Sequence, residues 1–249
     1  MSIQFQMVGT GDAFAKAYFN NNALIQVDTF KFMIDFGQTA PLALHQLQYT
    51  LDQIDGVLIT HLHADHTGGL EELAFQSMYR YGHKNGKIQL YIADTLVDAL
   101  WENTLKAGLT FEKGGINTLS HYFDVHLFQE AKRYTITDGL TIELIKTPHI
   151  PDKLSYSLFI NDNIFFTADM IFNRPLVEYA IYERKCSIVM HDCQLIGSGL
   201  VHSTLDELLT LPEDIQSKIY LMHYDDNMPK FIGKTGLMRF LEQQKLYVF

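Results

Sequence analysis

Four side chains that can bind a metal ion lie within six consecutive residues of this chain. They are His61, His63, Asp65 and His66. The whole sequence of 249 residues contains only eleven histidines, so this density is far above what chance placement gives. Imidazole and carboxylate ligands together favour zinc, and favour manganese or iron less specifically. The alternative interpretation is a polar turn that contains these histidines by chance.

The residues around the cluster predict a turn between a strand and a helix. Residues 56–60 form a short apolar run rich in β-branched side chains, which is typical of a buried strand. Residues 70–81 carry apolar side chains at helical spacing. In a turn between the two elements, His61 and His63 can face one ion while Asp65 and His66 face a second.

Three further candidate ligands occur downstream, each where a predicted strand meets a loop. His149 follows the strand-like residues 140–146, Asp169 follows a hairpin over residues 155–167, and His223 ends the strand-like residues 218–222. A catalytic metal site needs ligands beyond one short cluster, and these residues supply them. This favours the metal-site interpretation over a chance turn.

The cluster, followed by a later His, Asp and His in that order, resembles the metallo-β-lactamase superfamily. The resemblance runs from the Gly9-Thr10-Gly11 turn to His223, which is nearly the whole chain. It implies an α/β fold, a four-layer αββα sandwich, with two divalent ions at one edge, Zn²⁺ in the first place and Mn²⁺ as the alternative. By this resemblance the first ion is held by His61, His63 and His149, the second by Asp65, His66 and His223, and Asp169 bridges them.

Composition and charge limit the domain organisation and the partners. With 47% hydrophobic residues and no linker or low-complexity segment, residues 1–249 are expected to form one domain. No apolar run approaches the ~20 residues of a membrane span, and the start lacks the features of a secretory signal, so we expect a cytoplasmic protein without a membrane partner. Cys186 and Cys193 are expected to be buried free thiols.

The formal net charge of −10 argues against a long nucleic acid as partner. Proteins that grip such polymers usually carry a basic surface that neutralises several phosphates. A local basic patch remains compatible with this global balance. A small phosphorylated substrate held by metal ions needs no such surface.

A second constellation resembles the ribonuclease Z branch of the superfamily. Asp192 follows a predicted strand, and the sequence His202-Ser203-Thr204 comes ten residues later. The resemblance implies phosphodiester hydrolysis in which His202 protonates the leaving oxygen, Asp192 orients His202, and Asp65 also counts as catalytic. The branch usually has Glu where this chain has Asp192, which shortens the reach by one methylene. A helix-capping or surface histidine is the alternative for His202.

The spacing between the later motifs bears on the substrate. Ribonuclease Z enzymes commonly insert a long arm where this chain has only the twenty residues from His149 to Asp169. Residues 9–15, 20–24 and 60–74 are similar to the anti-Pycsar enzymes of phages and bacteria. This resemblance implies a homodimer that hydrolyses 3′,5′-cyclic nucleotides, cCMP and cUMP above all and cAMP and cGMP as further candidates, and so counters antiviral signalling. A tRNA 3′-end endonuclease and a non-catalytic binder with this fold are the alternatives.

Three other residues are candidates for supporting roles. Asp35, at the end of the third predicted strand, either orients a ligand histidine or is a simple turn residue. Tyr122 and Phe123 follow the glycine-containing residues 108–120, which predict a mobile loop. These aromatics either stack on a nucleobase, with a partner subunit completing the site, or belong to the core, which is the commoner place for aromatic side chains.

Overall fold

Two seven-stranded sheets form the centre of the computed structural model, which describes residues 3–83 and 86–249. Met1, Ser2, Lys84 and Asn85 lie outside the described residues. The first sheet has the order β14-β1-β2-β3-β4-β5-β6, with β1 (Gln4–Gly9), β2 (Asn22–Val27), β3 (Phe30–Ile34), β4 (Gly56–Ile59), β5 (Ile88–Ala93), β6 (Phe123–Phe128) and β14 (Leu246–Val248). The second has the order β13-β12-β11-β10-β9-β8-β7, with β7 (Arg133–Thr137), β8 (Leu140–Thr147), β9 (Ser155–Ile160), β10 (Ile164–Phe166), β11 (Ile188–Asp192), β12 (Ile219–Met222) and β13 (Arg239–Phe240).

Each sheet is antiparallel on one side and parallel on the other. In the first sheet β14, β1, β2 and β3 pair antiparallel, and β3 to β6 pair parallel. In the second sheet β7 to β10 pair antiparallel, and β10 to β13 pair parallel. Parallel strands end at the same edge of a sheet, so polar residues that follow them are brought together there.

Helices cover the outer face of both sheets. Those on the first sheet come from α1 (Ala40–Gln46), α2 (Ala64–Thr67), α3 (Leu70–Phe75), α4 (Val97–Leu100) and α5 (Lys106–Leu109). Those on the second are α6 (Arg174–Glu178), α7 (Leu205–Leu209) and α8 (Glu213–Gln216). π-Helical turns continue three of them at Gln76–Arg80, Trp101–Leu105 and Tyr179–Glu183, and 3₁₀ turns occur at Leu51–Gln53, Glu112–Gly114, Leu119–His121 and Met228–Phe231.

The apolar side chains form two cores that define the layers. One core joins the facing sides of the sheets, where the Phe5 and Phe166 ring centroids lie 6.2 Å apart, and extends to α1 and α3. The other lies between the outer face of the second sheet and its helices, and contains Val177, Leu208 and Ile215. The predicted αββα sandwich is therefore confirmed. β9, β10 and β11 are fully buried because both of their faces are covered, and β12 is buried except at the half-buried Tyr220.

The structure differs from the sequence-based elements mainly at edges. The sequence predicted neither β7, β13 and β14 nor α6 and α8. Residues 108–120, predicted as a mobile loop, contain the end of α5 and two 3₁₀ turns. Cys186 and Cys193 are free and buried, as expected. Among the described residues, no helix is long and apolar enough to span a membrane.

Candidate metal centre

The seven candidate ligands converge at one edge of the sandwich. His61 and His63 follow β4, and Asp65 and His66 lie in α2, which begins at the next residue after His63. The other three come from the second sheet: His149 follows β8, Asp169 follows β10 and His223 follows β12. All are buried except His63, which is partly exposed.

The first group of donor atoms comes from His61, His63, His149 and Asp169. His61 Nε2 lies 3.0 Å from His63 Nδ1, which lies 3.3 Å from His149 Nε2. Asp169 Oδ2 lies 3.6 Å from His61 Nε2 and 3.8 Å from His149 Nε2. One imidazole nitrogen of each ring thus faces a common centre.

The second group consists of Asp65, His66, His223 and again Asp169. Asp65 Oδ2 lies 3.2 Å from His66 Nε2 and 3.3 Å from His223 Nε2. Asp169 Oδ2 lies 3.3 Å from His66 Nε2 and 3.4 Å from His223 Nε2. Asp169 is the residue that the two groups share, and it is also the residue to which the resemblance assigns the bridging role.

The donor set fits divalent metal ions. A tetrahedral ion with bonds of about 2.0–2.1 Å needs donor atoms roughly 3.3 Å apart, close to the separations in both groups. His66 Nε2 and Asp169 Oδ1 are buried, and neither makes a hydrogen bond among the described residues. Buried polar atoms are rarely left without a partner, so these two atoms are suited to coordinate an ion.

The protonation states differ between the two groups of ligands. Burial lowers the pKa of His61, His63 and His149, which keeps these rings neutral, as metal ligands must be. Burial also lowers the pKa of His66 and His223, but neighbouring carboxylates, Asp169 and Asp65 above all, outweigh it. They raise the pKa of His66 well above its usual value and that of His223 to about 9. The two buried carboxylates therefore attract positive charge, which a divalent ion supplies.

Asp35 orients one ligand of each group. Its Oδ2 accepts a hydrogen bond from His66 Nδ1 at 2.7 Å and another from the Thr60 hydroxyl at 2.8 Å. The Thr60 oxygen lies 3.1 Å from His61 Nδ1 and accepts from it, since its own hydrogen is donated to Asp35. Nδ1 of both rings therefore carries a proton, which leaves Nε2 as the nitrogen that would bind a metal.

The sequence analysis missed the residues that fix the cluster to the first sheet. Asn22 Oδ1 accepts from Gly37 N at 2.7 Å, and Asn22 Nδ2 donates to Asp65 O at 3.3 Å. A Cβ at Gly37 would lie 1.9 Å from the Asp65 carbonyl oxygen, so only glycine permits this approach. Three turn residues, Asp35, Ala168 and His223, adopt φ values of 61°, 50° and 55° where strands end beside the site.

His202 and Asp192 lie next to both groups. His202 Nδ1 lies 3.1 Å from Asp192 Oδ2, so the shorter acid reaches the histidine. The His202 ring centroid lies 4.9 Å from that of His149 and 4.7 Å from that of His223. Burial raises the pKa of Asp192, but hydrogen bonds from His191 and His202 outweigh it and hold that pKa below its usual value. Thr204, not His202, caps α7.

Three open cavities adjoin the metal-capable groups. One of about 470 Å³ and one of about 320 Å³ are both lined by His202, Val201, Ala13 and Phe14. A third, of about 390 Å³, lies on the side of His61, His63 and Lys153. A small ligand can therefore reach the ligand histidines through more than one cavity.

The structure does not bring Tyr122 and Phe123 to these cavities, and the prediction that they stack on a base is wrong for this structure. Each side chain is 1% exposed. The Tyr122 hydroxyl donates to Leu109 O at 2.9 Å, and Phe123 begins β6 inside the core. Apolar burial accounts for both positions, and the hydroxyl is satisfied by a backbone partner.

Comparison with known proteins places the chain among close relatives. The sequence profile of the family described as anti-Pycsar protein Apyc1 matches residues 3–247. The anti-Pycsar protein Apyc1 of Paenibacillus sp. (strain J14) is 53% identical over 247 residues, which cover 99% of each chain. That of Bacillus phage 010DV004 is 40% identical over 259 aligned residues, covering 99% of this chain and 98% of the relative.

Solved structures with the same fold are more distant in sequence. The metallo-β-lactamase fold protein YhfI from Bacillus subtilis superposes with a TM-score of 0.75 at 18% identity and full coverage of both chains. A diphosphatase from the PhnP family superposes with a TM-score of 0.76 at 16% identity, and the match covers 100% of this chain and 98% of the diphosphatase chain. The short form of human tRNase Z superposes with a TM-score of 0.67 at 16% identity, and the match covers 98% of each chain. These likenesses establish the metallo-β-lactamase fold.

Proposed function

This chain belongs to the anti-Pycsar protein Apyc1 family, and from this premise we propose that it is a metal-dependent phosphodiesterase. Its substrates are 3′,5′-cyclic nucleotides, cCMP and cUMP first and cAMP and cGMP in addition, and its products are nucleoside monophosphates. Destroying such signals counters cyclic-nucleotide antiviral signalling. The observation that carries the proposal is the Asp192-held His202 beside two groups of metal donors.

Two zinc ions are proposed as the resident cofactor. The first is assigned to His61, His63 and His149, the second to Asp65, His66 and His223, with Asp169 shared. Bound divalent ions supply Lewis-acid activation of a water molecule and neutralisation of phosphate charge.

The chain's own residues explain how the leaving oxygen is handled. The Asp192 carboxylate accepts from His202 Nδ1, which leaves His202 Nε2 directed away from Asp192. A protonated His202 can then donate from Nε2 to the sugar oxygen as its bond to phosphorus breaks. Asp65 keeps its carboxylate form, because His66 and His223 outweigh burial and lower its pKa.

The charge around the cavities favours a small substrate. Among the described residues that line the three cavities, Lys153 is the one lysine or arginine. A cyclic mononucleotide carries a single phosphodiester charge, which ions at the site can neutralise. A long RNA carries many charges, for which this lining and the net charge of −10 offer little compensation. We further propose a homodimer that acts in the cytoplasm.

A substrate panel tests this function. The purified protein is incubated with cCMP, cUMP, cAMP, cGMP and a precursor tRNA, with product identification and metal analysis of the same sample. We expect linear monophosphates, an intact tRNA and about two ions per chain. Cleavage of the tRNA with every cyclic nucleotide left intact would replace this proposal with the endonuclease. Full activity with one ion would contradict the two-metal assignment.

A further inference from the structure

Phe14 is an exposed aromatic side chain on an anchored loop. Its side chain is 83% exposed, which is unusual for a large apolar group. The loop backbone is nevertheless fixed at both ends. Asp12 Oδ1 accepts from Phe14 N at 2.9 Å and from Ala15 N at 2.7 Å, and the Asp226 carboxylate accepts from Lys16 N and Ala17 N.

The ring stands beside the proposed reaction centre. Phe14 and His202 both line the cavity of about 470 Å³, which includes His63, Asp65 and His149, and the cavity of about 320 Å³, which includes His223. Apart from histidines, Phe14 is the one aromatic residue among the described residues that line either cavity.

The position of His202 fixes the side on which a nucleoside must lie. The bond that breaks joins phosphorus to an oxygen of the sugar, and the proton must reach that oxygen. The sugar and its base therefore lie on the His202 side of phosphorus. The cavity near Lys153 is lined by His61 and His63 but not by His202, so a leaving group in it would not face His202.

We propose that Phe14 is the platform on which the nucleobase of the substrate stacks. This inference rests on the proposed function and names the residue that binds the base. Every base offers a π-face, and stacking on an aromatic ring tolerates any base. Ala13 and Val201 complete an apolar wall beside the ring.

The platform has a consequence for selectivity. A phenylalanine ring has no hydrogen-bond donor or acceptor, so it cannot read the edge of a base. Among the described residues, two amides line the cavities beside Phe14: Gln194 in the smaller one, which donates its Nε2 to Ile196 O at 2.8 Å, and Gln38 in the larger one. The stacking contribution of Phe14 alone therefore increases with the ring area of the base and is larger for purines than for pyrimidines. The preference for cCMP and cUMP proposed above must then come from other residues.

The test compares a cyclic nucleotide with its abasic analogue, the 3′,5′-cyclic phosphate of 1-deoxyribose. Phe14→Ala should raise KM for the cyclic nucleotide roughly 5- to 100-fold, the range of one lost base–aromatic stack. The preference for cyclic nucleotide over abasic analogue, as a ratio of kcat/KM values, should fall by the same factor. Phe14→Trp should restore the preference, and Phe14→Leu should not. Binding of the nucleoside monophosphate, measured by calorimetry, should weaken in parallel.

Phe111→Ala is the matched control, since Phe111 is an exposed phenylalanine, 54% accessible, away from these cavities. It should keep the wild-type preference. An equal loss by Phe14→Ala on both substrates, or no loss on either, would overturn the platform. So would conversion of a dimer into a monomer by Phe14→Ala in light scattering, because the ring would then cover a second copy. A wild-type protein that hydrolyses no cyclic nucleotide would instead defeat the proposed function itself.

Discussion

The two halves of the molecule each contain a carboxylate that holds a histidine, and the two histidines differ in what their free nitrogen faces. In the first half, Asp35 follows β3 and lies 2.7 Å from His66 Nδ1. In the second half, Asp192 ends β11 and lies 3.1 Å from His202 Nδ1. Both carboxylates are fully buried, and each leaves Nε2 of its histidine directed elsewhere.

Burial separates the two roles. His66 is fully buried, and its Nε2 faces the carboxylates of Asp65 and Asp169. His202 keeps 20% of its side chain exposed and lines two open cavities. A buried nitrogen beside two carboxylates is suited to hold a cation, whereas a nitrogen at a cavity wall can exchange a proton with a ligand. The same local pair therefore serves two kinds of chemistry.

We call Asp35 and His66 the inward pair, and Asp192 and His202 the outward pair. The largest expected effect comes from breaking the inward pair. His66→Ala should abolish activity and remove metal, because it deletes a donor and leaves Asp35 and Asp169 as buried carboxylates with one partner fewer. Metal analysis and a thermal melt measure the two consequences. Activity and metal content equal to wild type would remove His66 from the centre.

Breaking the outward pair should lower the rate of the reaction without removing metal. His202→Ala should lower kcat roughly 10²–10⁴-fold with unchanged metal content, as expected for a lost proton donor. The loss should shrink with a phosphodiester whose leaving group is an acidic nitrophenolate, because that oxygen needs no proton. An equal loss on both substrates would assign His202 to positioning or folding instead.

The convergence of the seven candidate ligands could be predicted from the sequence, because it depends on residue types that can bind a metal. Histidines and aspartates at the ends of strands are rare enough that HxHxDH, His149, Asp169 and His223 stand out. The predicted sandwich also followed from a resemblance that spans nearly the whole chain. Short edge strands were missed, since β13 has two residues and β7 has no fully buried residue, which leaves little apolar pattern to detect.

The supporting residues could not be predicted in the same way. Asn22, Gly37 and Thr60 are common turn and strand-end residues, and their roles depend on partners that the fold brings close. Asn22 and Asp65, for example, are 43 positions apart. Tyr122 and Phe14 also show what the sequence could not predict. Both are aromatic residues near glycines, and the sequence does not indicate that folding buries Tyr122 and leaves Phe14 exposed.

Changing only the carboxylate of the outward pair should have a smaller effect. Asp192 Oδ2 accepts from both His202 Nδ1 and Met170 N, and Oδ1 accepts from the Thr167 hydroxyl. Asp192→Asn keeps the shape but has one acceptor oxygen and no negative charge, so it cannot keep all of these hydrogen bonds. We expect kcat to fall roughly 10–100-fold, the usual range for residues that orient a functional histidine. Added metal should not restore it. Asp192→Glu is the control, since it keeps the negative charge. A kcat close to wild type in Asp192→Asn but not in Asp192→Glu would contradict an electrostatic role.

The matching change in the inward pair should have the smallest effect on activity at saturating metal. Asp35 accepts from Thr60 N, from the Thr60 hydroxyl and from His66 Nδ1, and an asparagine with one acceptor oxygen cannot serve all three. Asp35→Asn should therefore weaken metal affinity about 10–100-fold, because His66 and His61 lose their fixed orientation. Activity should return toward wild type as zinc is titrated in, unlike that of Asp192→Asn. A rate that stays low at saturating zinc would show that Asp35 does more than hold ligands, and the distinction between the two pairs would fail.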